Sequence, residues 1–126
     1  MIYLQHGVRY LERLTQLSLI YQNLKMKRGI FNNYVKQLCK ATGISENELF
    51  QKNRSVRLSS ARFILYSICH QRPMNILQIV DLMSERGYAT SRQTVEYGIE
   101  KVNTSPDPDI QKFINETIGL YNHIDV

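Results

Sequence analysis

The sequence predicts an all-α fold, a small helical domain with a helix-turn-helix, preceded by a long N-terminal helix. Three observations carry this reading. Apolar residues recur at spacings of three and four through nearly the whole chain, no strictly alternating run is long enough for a strand, and capping patterns or glycines punctuate the chain at helical intervals. At 126 residues, 43% of them hydrophobic, the chain suits one core rather than several.

The first helix is expected from Tyr3 to Lys27. Tyr10, Leu14, Leu17, Tyr21 and Leu24 form its apolar stripe, and Gly29 is expected to end it in a left-handed cap. That stripe has two uses, burial in the same chain or packing on a second copy as a homodimer. The chain accordingly divides into an N-terminal amphipathic helix, residues 1–30, and a helical domain, residues 31–126. A second helix is expected from Asn32 to Ala41, with Tyr34, Val35 and Leu38 inward and Gly43 as its stop. Ser45 and Glu48 then make a capping-box pattern ahead of Leu49 and Phe50.

Gln51 to Leu58 lacks apolar periodicity and reads as a basic loop. Beyond it, Ser59 or Ser60 is expected to cap a helix bearing Ile64, Leu65 and Ile68 that ends before Pro73. Asn75 with Gln78 opens the next helix, which carries Ile76, Ile79, Val80 and Met83 and stops at Arg86-Gly87. Thr90 with Gln93 opens another, with Val95, Ile99 and Val102 on one stripe, and this pair around a glycine turn is the helix-turn-helix candidate. Finally, Ser105-Pro106-Asp107-Pro108-Asp109 breaks the chain and caps a last helix with Ile110, Phe113, Ile114 and Ile118.

The net charge of +5 conceals a division. From Arg13 to Val80 there are eleven bases against two acids, Glu46 and Glu48, whereas from Asp81 onward there are four bases and eight acids. No acid occurs between Glu48 and Asp81, while Lys52, Arg54, Arg57, Arg62 and Arg72 all do, a composition that suits phosphate. No apolar run approaches the ~20 residues of a membrane span, so a membrane is not an expected partner. Cys39 and Cys69 read as buried thiols in a reducing compartment, hence the cytoplasm. His6, His70 and His123 are scattered, and none of these residues has metal-ligand or catalytic spacing. No metal, cofactor, small-molecule substrate or enzymatic activity is expected.

The run VKQLCKATGISENELFQKNRSVRLSSARFILYSI, Val35 to Ile68, resembles the start of the C-terminal DNA-binding domain of the bacterial replication initiator DnaA. That family has Gly-Ile-Ser and a following leucine, a basic loop with Lys-x-Arg, and Ala-Arg opening the next helix. Gly43, Ile44, Ser45, Leu49, Lys52, Arg54, Ala61 and Arg62 match that order without a gap. The likeness runs from about Asn33 to Leu120 and includes Ile79, Thr94-Val95 and the proline-aspartate entry to the last helix.

The resemblance implies double-stranded DNA as partner, with Arg54 in the minor groove and Lys52, Arg57 and Arg62 as neighbouring backbone or groove contacts. It also implies that the helix beginning near Ser91 enters the major groove. There the family's Asp-His-Thr-Thr-Val is replaced by Ser91-Arg92-Gln93-Thr94-Val95 after a longer turn. Arg92 suits guanine, Gln93 suits adenine, and Ser91 and Thr94 suit phosphate or a helix cap. No Gly-x-x-x-x-Gly-Lys-Ser/Thr loop occurs, so the initiator's ATPase is not expected in this chain. The expected role is accessory to replication initiation or transcription regulation, in a bacterial host cytoplasm and of phage or mobile-element origin. The alternative is a protein-interaction or structural module that keeps the fold with weakened DNA binding. Glu96 and Glu100, projecting outward with Tyr97, favour that alternative.

Overall fold

Ile30, Phe31, Tyr34, Val35 and Leu38 share the spacing of one helix face, and all five are buried. In the computed structural model, which describes residues 26–120, they lie on a single helix over 26–42, α1. The expected stop at Gly29 is therefore a correction: the helix runs through it, and positive φ among the described residues is confined to Gly43 and Gly87. A helix-interior glycine costs roughly 0.5–1 kcal/mol, less than the burial of the stripe that begins one residue beyond it. Arg28 adds a two-pronged ion pair to Glu85, at 2.8 and 3.0 Å. The stripe from Tyr10 to Leu24, and with it the homodimer surface, lies outside the described residues.

Gly43 ends α1 with φ 74°, its N–H donating to the Cys39 carbonyl. Ser45 caps the short α2 (Glu46–Leu49), accepting from the Glu48 N–H as its pattern predicts. α3 (Val56–Gln71) then begins earlier than expected, because Ser55 rather than Ser59 or Ser60 is its cap. Its first turn escapes a periodicity reading because Val56 is 83% exposed and Leu58 is its first buried residue.

α4 (Ile76–Glu85) opens on a complete capping box: Gln78 N–H donates to Asn75 Oδ1, and Asn75 N–H to Gln78 Oε1. It stops at Arg86, and Gly87 turns the chain with φ 83°. α5 (Arg92–Asn103) is capped by Ser91, one residue beyond the expected Thr90. Before α6 (Pro108–Leu120), the Asp107 carboxylate accepts from the Asp109 N–H. The described residues are thus all-α, with no strand among them.

α3 runs through the centre, packing most extensively on α5 and also meeting α2, α4 and α6. Leu58, Ala61, Leu65, Ile68 and Cys69 from α3 join Ile79 and Met83 from α4, Val95 and Ile99 from α5, and Ile114 from α6 in one core. The α3–α5 contact is close at Gly98, where a Cβ would fall within 2.9 Å of the Phe63 ring Cγ. Farther along, Ser67 Oγ and Asn103 Oδ1 are 3.3 Å apart. Arg86, at the end of α4, reaches Asn32 of α1 and Glu46 of α2, both at 3.1 Å, and lies over the Phe50 ring. These contacts fix where the α4–α5 turn stands relative to the loop before α3.

Candidate functional site

The segment from Phe50 to Ser55 has little apolar side chain to bury, so something else must hold its backbone. Arg62 does so from inside. Its Nε donates to the Leu49 carbonyl at 2.7 Å, Nη1 to Asn53 at 2.7 Å, and Nη2 to Gln51 at 2.6 Å and Glu48 at 3.4 Å. The guanidinium also lies 4.4 Å from the centre of the Tyr88 ring, in the α4–α5 turn. At 2% exposure, Arg62 is the largest fully buried side chain among the described residues. The expectation that it contacts DNA is corrected here: it is an internal strut whose donors are taken up by main-chain carbonyls. Its position signals this, because residues 58, 61, 62, 65 and 69 share the inward stripe of α3 and all are buried.

With the carbonyls turned toward Arg62, the side chains of Lys52 and Arg54 are exposed, and Asn53 closes a local turn by accepting from the Ser55 N–H at 3.0 Å. Arg57 is exposed on the first turn of α3, with Nη1 3.6 Å from a Glu48 carboxylate oxygen. On α5, Ser91 Oγ accepts from the Thr94 N–H and lies 2.9 Å from Thr94 Oγ1, so both hydroxyls serve the cap. Arg92 donates to Glu96 at 2.9 Å, an exposed i,i+4 pair that neutralises the acid noted above. Gln93 and Glu100 are exposed, as is Tyr97.

The loop before α3 and the start of α5 face each other across a cleft of about 530 Å³. Arg54 stands on one wall and Ser91 and Thr94 on the other, although about forty residues separate them in the chain. Lys52, Arg57, Arg92 and Gln93 are exposed but do not line this cleft. Among the described residues no carboxylate lines it either, and the charges that do are two arginines and the partial positive charge of the α5 N-terminus.

Comparison with protein-family models, curated proteins and solved structures gave no match.

Sequence reasoning missed the aromatic lining, Phe63, Tyr66, Tyr88 and Tyr97. The available signal was Tyr97, which the α5 stripe directs outward beside Phe63 only once the helix crossing is known. Tyr66 is buried, and burial pushes its phenol up to about 12. Burial likewise pushes the Cys69 and Cys39 thiols up, so neither is an activated nucleophile. Both cysteines are free, Cys69 buried and Cys39 half-buried. Among the described residues no cluster of His, Cys, Asp and Glu is placed to hold a metal ion, and no helix is long and apolar enough to cross a membrane.

These shifts have a measurable consequence. Tyr66 and Cys69 keep their protons to higher pH in the folded chain than in the unfolded one, where tyrosine titrates near 10 and cysteine near 8.5. The contribution of these two groups to stability is therefore fully present below about pH 8.5 and is lost as pH rises through 10 toward 12. Urea unfolding between pH 8 and 11 is expected to give a falling midpoint, with Tyr66→Phe flattening the upper part of the fall.

Proposed function

We propose that this chain binds double-stranded DNA in the manner of the C-terminal domain of the DnaA initiator. Arg54 enters the minor groove, and the first turn of α5 enters the neighbouring major groove. In this reading α4, the Gly87 turn and α5 are a helix-turn-helix, with α5 the recognition helix. The observation that carries the proposal is the pairing of the Arg54 loop with the α5 N-terminus across one carboxylate-free cleft. An arginine on a loop reaches the narrow, negative minor groove over A·T-rich sequence, while a helix N-terminus favours phosphate.

Arg92 supports base reading if its exposed pair with Glu96 is exchanged for a base edge. That exchange costs little, because exposed pairs of this kind contribute at most about 1 kcal/mol. Gln93 presents its amide from the same turn. Lys52 and Arg57 add phosphate contacts beside the cleft. The biological setting that follows from the resemblance is replication initiation or transcription regulation in a bacterial cytoplasm, from a phage or other mobile element.

Selection of bound duplexes from a random pool, followed by mobility shifts at two salt concentrations, tests this directly. Arg54→Ala is expected to weaken duplex binding about tenfold, with Lys52→Ala lowering affinity less and reducing the salt slope by about one. Failure of the folded protein to bind any duplex at low salt would overturn the proposal, as would duplex binding indifferent to Arg54→Ala.

A further inference from the structure

A duplex reader of this geometry uses the walls of the cleft and leaves its aromatic interior unexplained. In a duplex the faces of the bases are covered by their neighbours, and groove readers touch base edges and phosphates. Phe63, Tyr66, Tyr88 and Tyr97 line the cleft, and of these Tyr97 is the exposed ring. Tyr97 is 57% exposed, yet its ring is held in place: it meets Phe63 at right angles with centroids 5.8 Å apart, and Lys101 Nζ lies 5.7 Å from its centre. An exposed ring already oriented by its neighbours is a stacking surface whose ordering cost is met before any ligand arrives.

Arg54 and the absence of lining carboxylates make the mouth hospitable to phosphate. At about 530 Å³ the cleft is within the range of small-ligand sites. An exposed, pre-oriented aromatic ring and a basic rim together match a nucleotide whose base is unstacked.

We propose that the cleft takes an unpaired nucleotide of single-stranded DNA, with the base on Tyr97 and the phosphate on Arg54. This rests on reading the face as a DNA interface and adds a second mode of binding to it. The protein would then engage DNA both as a duplex and where the duplex is open.

The test titrates the full chain with a fluorescent oligothymidine of about a dozen nucleotides, a length spanning known single-strand site sizes. A random-sequence duplex is titrated in parallel. The chain has eight tyrosines and no tryptophan, so stacking also reads out as quenched tyrosine emission. Tyr97→Ala is expected to weaken oligothymidine binding about fivefold or more, with Tyr97→Phe retaining it and duplex affinity changing less than about twofold.

The proposal is overturned if wild-type protein does not bind oligothymidine, or if a Tyr97→Ala protein with unchanged helical content binds it as wild type does. Equal losses of duplex and single-strand affinity would assign Tyr97 to the duplex surface and overturn it as well. Failure of the duplex reading looks different, since wild type would then show no duplex binding for Arg54→Ala to weaken.

Discussion

Arg62→Ala is expected to destabilise the fold by about 3–5 kcal/mol, a large part of the 5–15 kcal/mol typical of a whole domain. The loss has two sources. The backbone carbonyls of Leu49, Gln51 and Asn53 lose the Arg62 donor at once, that of Glu48 keeps only its bond from the Gln51 N–H, and the Tyr88 ring loses the cation packed on its face. Arg62→Lys is expected to recover little, because a single ammonium cannot reproduce the planar fork that reaches carbonyls on several sides. Urea unfolding followed by circular dichroism measures the change. Arg54→Ala supplies the contrast: on an exposed side chain it is expected to shift stability by less than about 0.5 kcal/mol while weakening DNA binding. If Arg62→Ala left the unfolding midpoint in place, the strut role would be wrong.

Gly98→Ala is expected to cost about 1–3 kcal/mol, because the added methyl meets the Phe63 ring near its attachment, where the ring cannot swing away cheaply. Displacing Phe63 also disturbs its edge-on contact with Tyr97 and its tilted contact with Tyr66, at centroid distances of 5.8 and 6.3 Å. The effect therefore reaches the cleft. A double-mutant cycle isolates the clash: in a Phe63→Ala background, Gly98→Ala is expected to cost less than half as much. Equal costs in the two backgrounds would locate the penalty elsewhere.

What the sequence made legible was local. Gly43, Gly87, Ser45 with Glu48, and Asn75 with Gln78 each act through hydrogen bonds or dihedrals spanning a few residues, and each stands where its pattern predicts. Gly29 misled because its local cost was outweighed by the buried stripe that begins at Ile30, immediately beyond it. Ser55 and Ser91 displaced Ser59, Ser60 and Thr90 as caps because several hydroxyls compete at those positions, and the packing of Leu58 and Val95 decides among them. Arg54, Ser91 and Thr94 were readable as candidates, but their convergence on one cleft depends on the α3–α5 crossing, which no local pattern encodes. Arg62 was miscounted because charge totals treat every arginine as solvent-facing, whereas its register with Leu58, Ala61 and Leu65 places it inside.

The strut beneath the basic loop has a consequence for how such a surface changes. Arg62 holds the loop through backbone carbonyls alone, so the loop's path does not depend on the outward side chains at 52 and 54. Lys52 and Arg54 are accordingly interchangeable fittings on a fixed frame. A library randomised at those two positions should fold as uniformly as the parent while its members differ in what they bind, which makes the segment a place where recognition can be rewritten without rebuilding the domain.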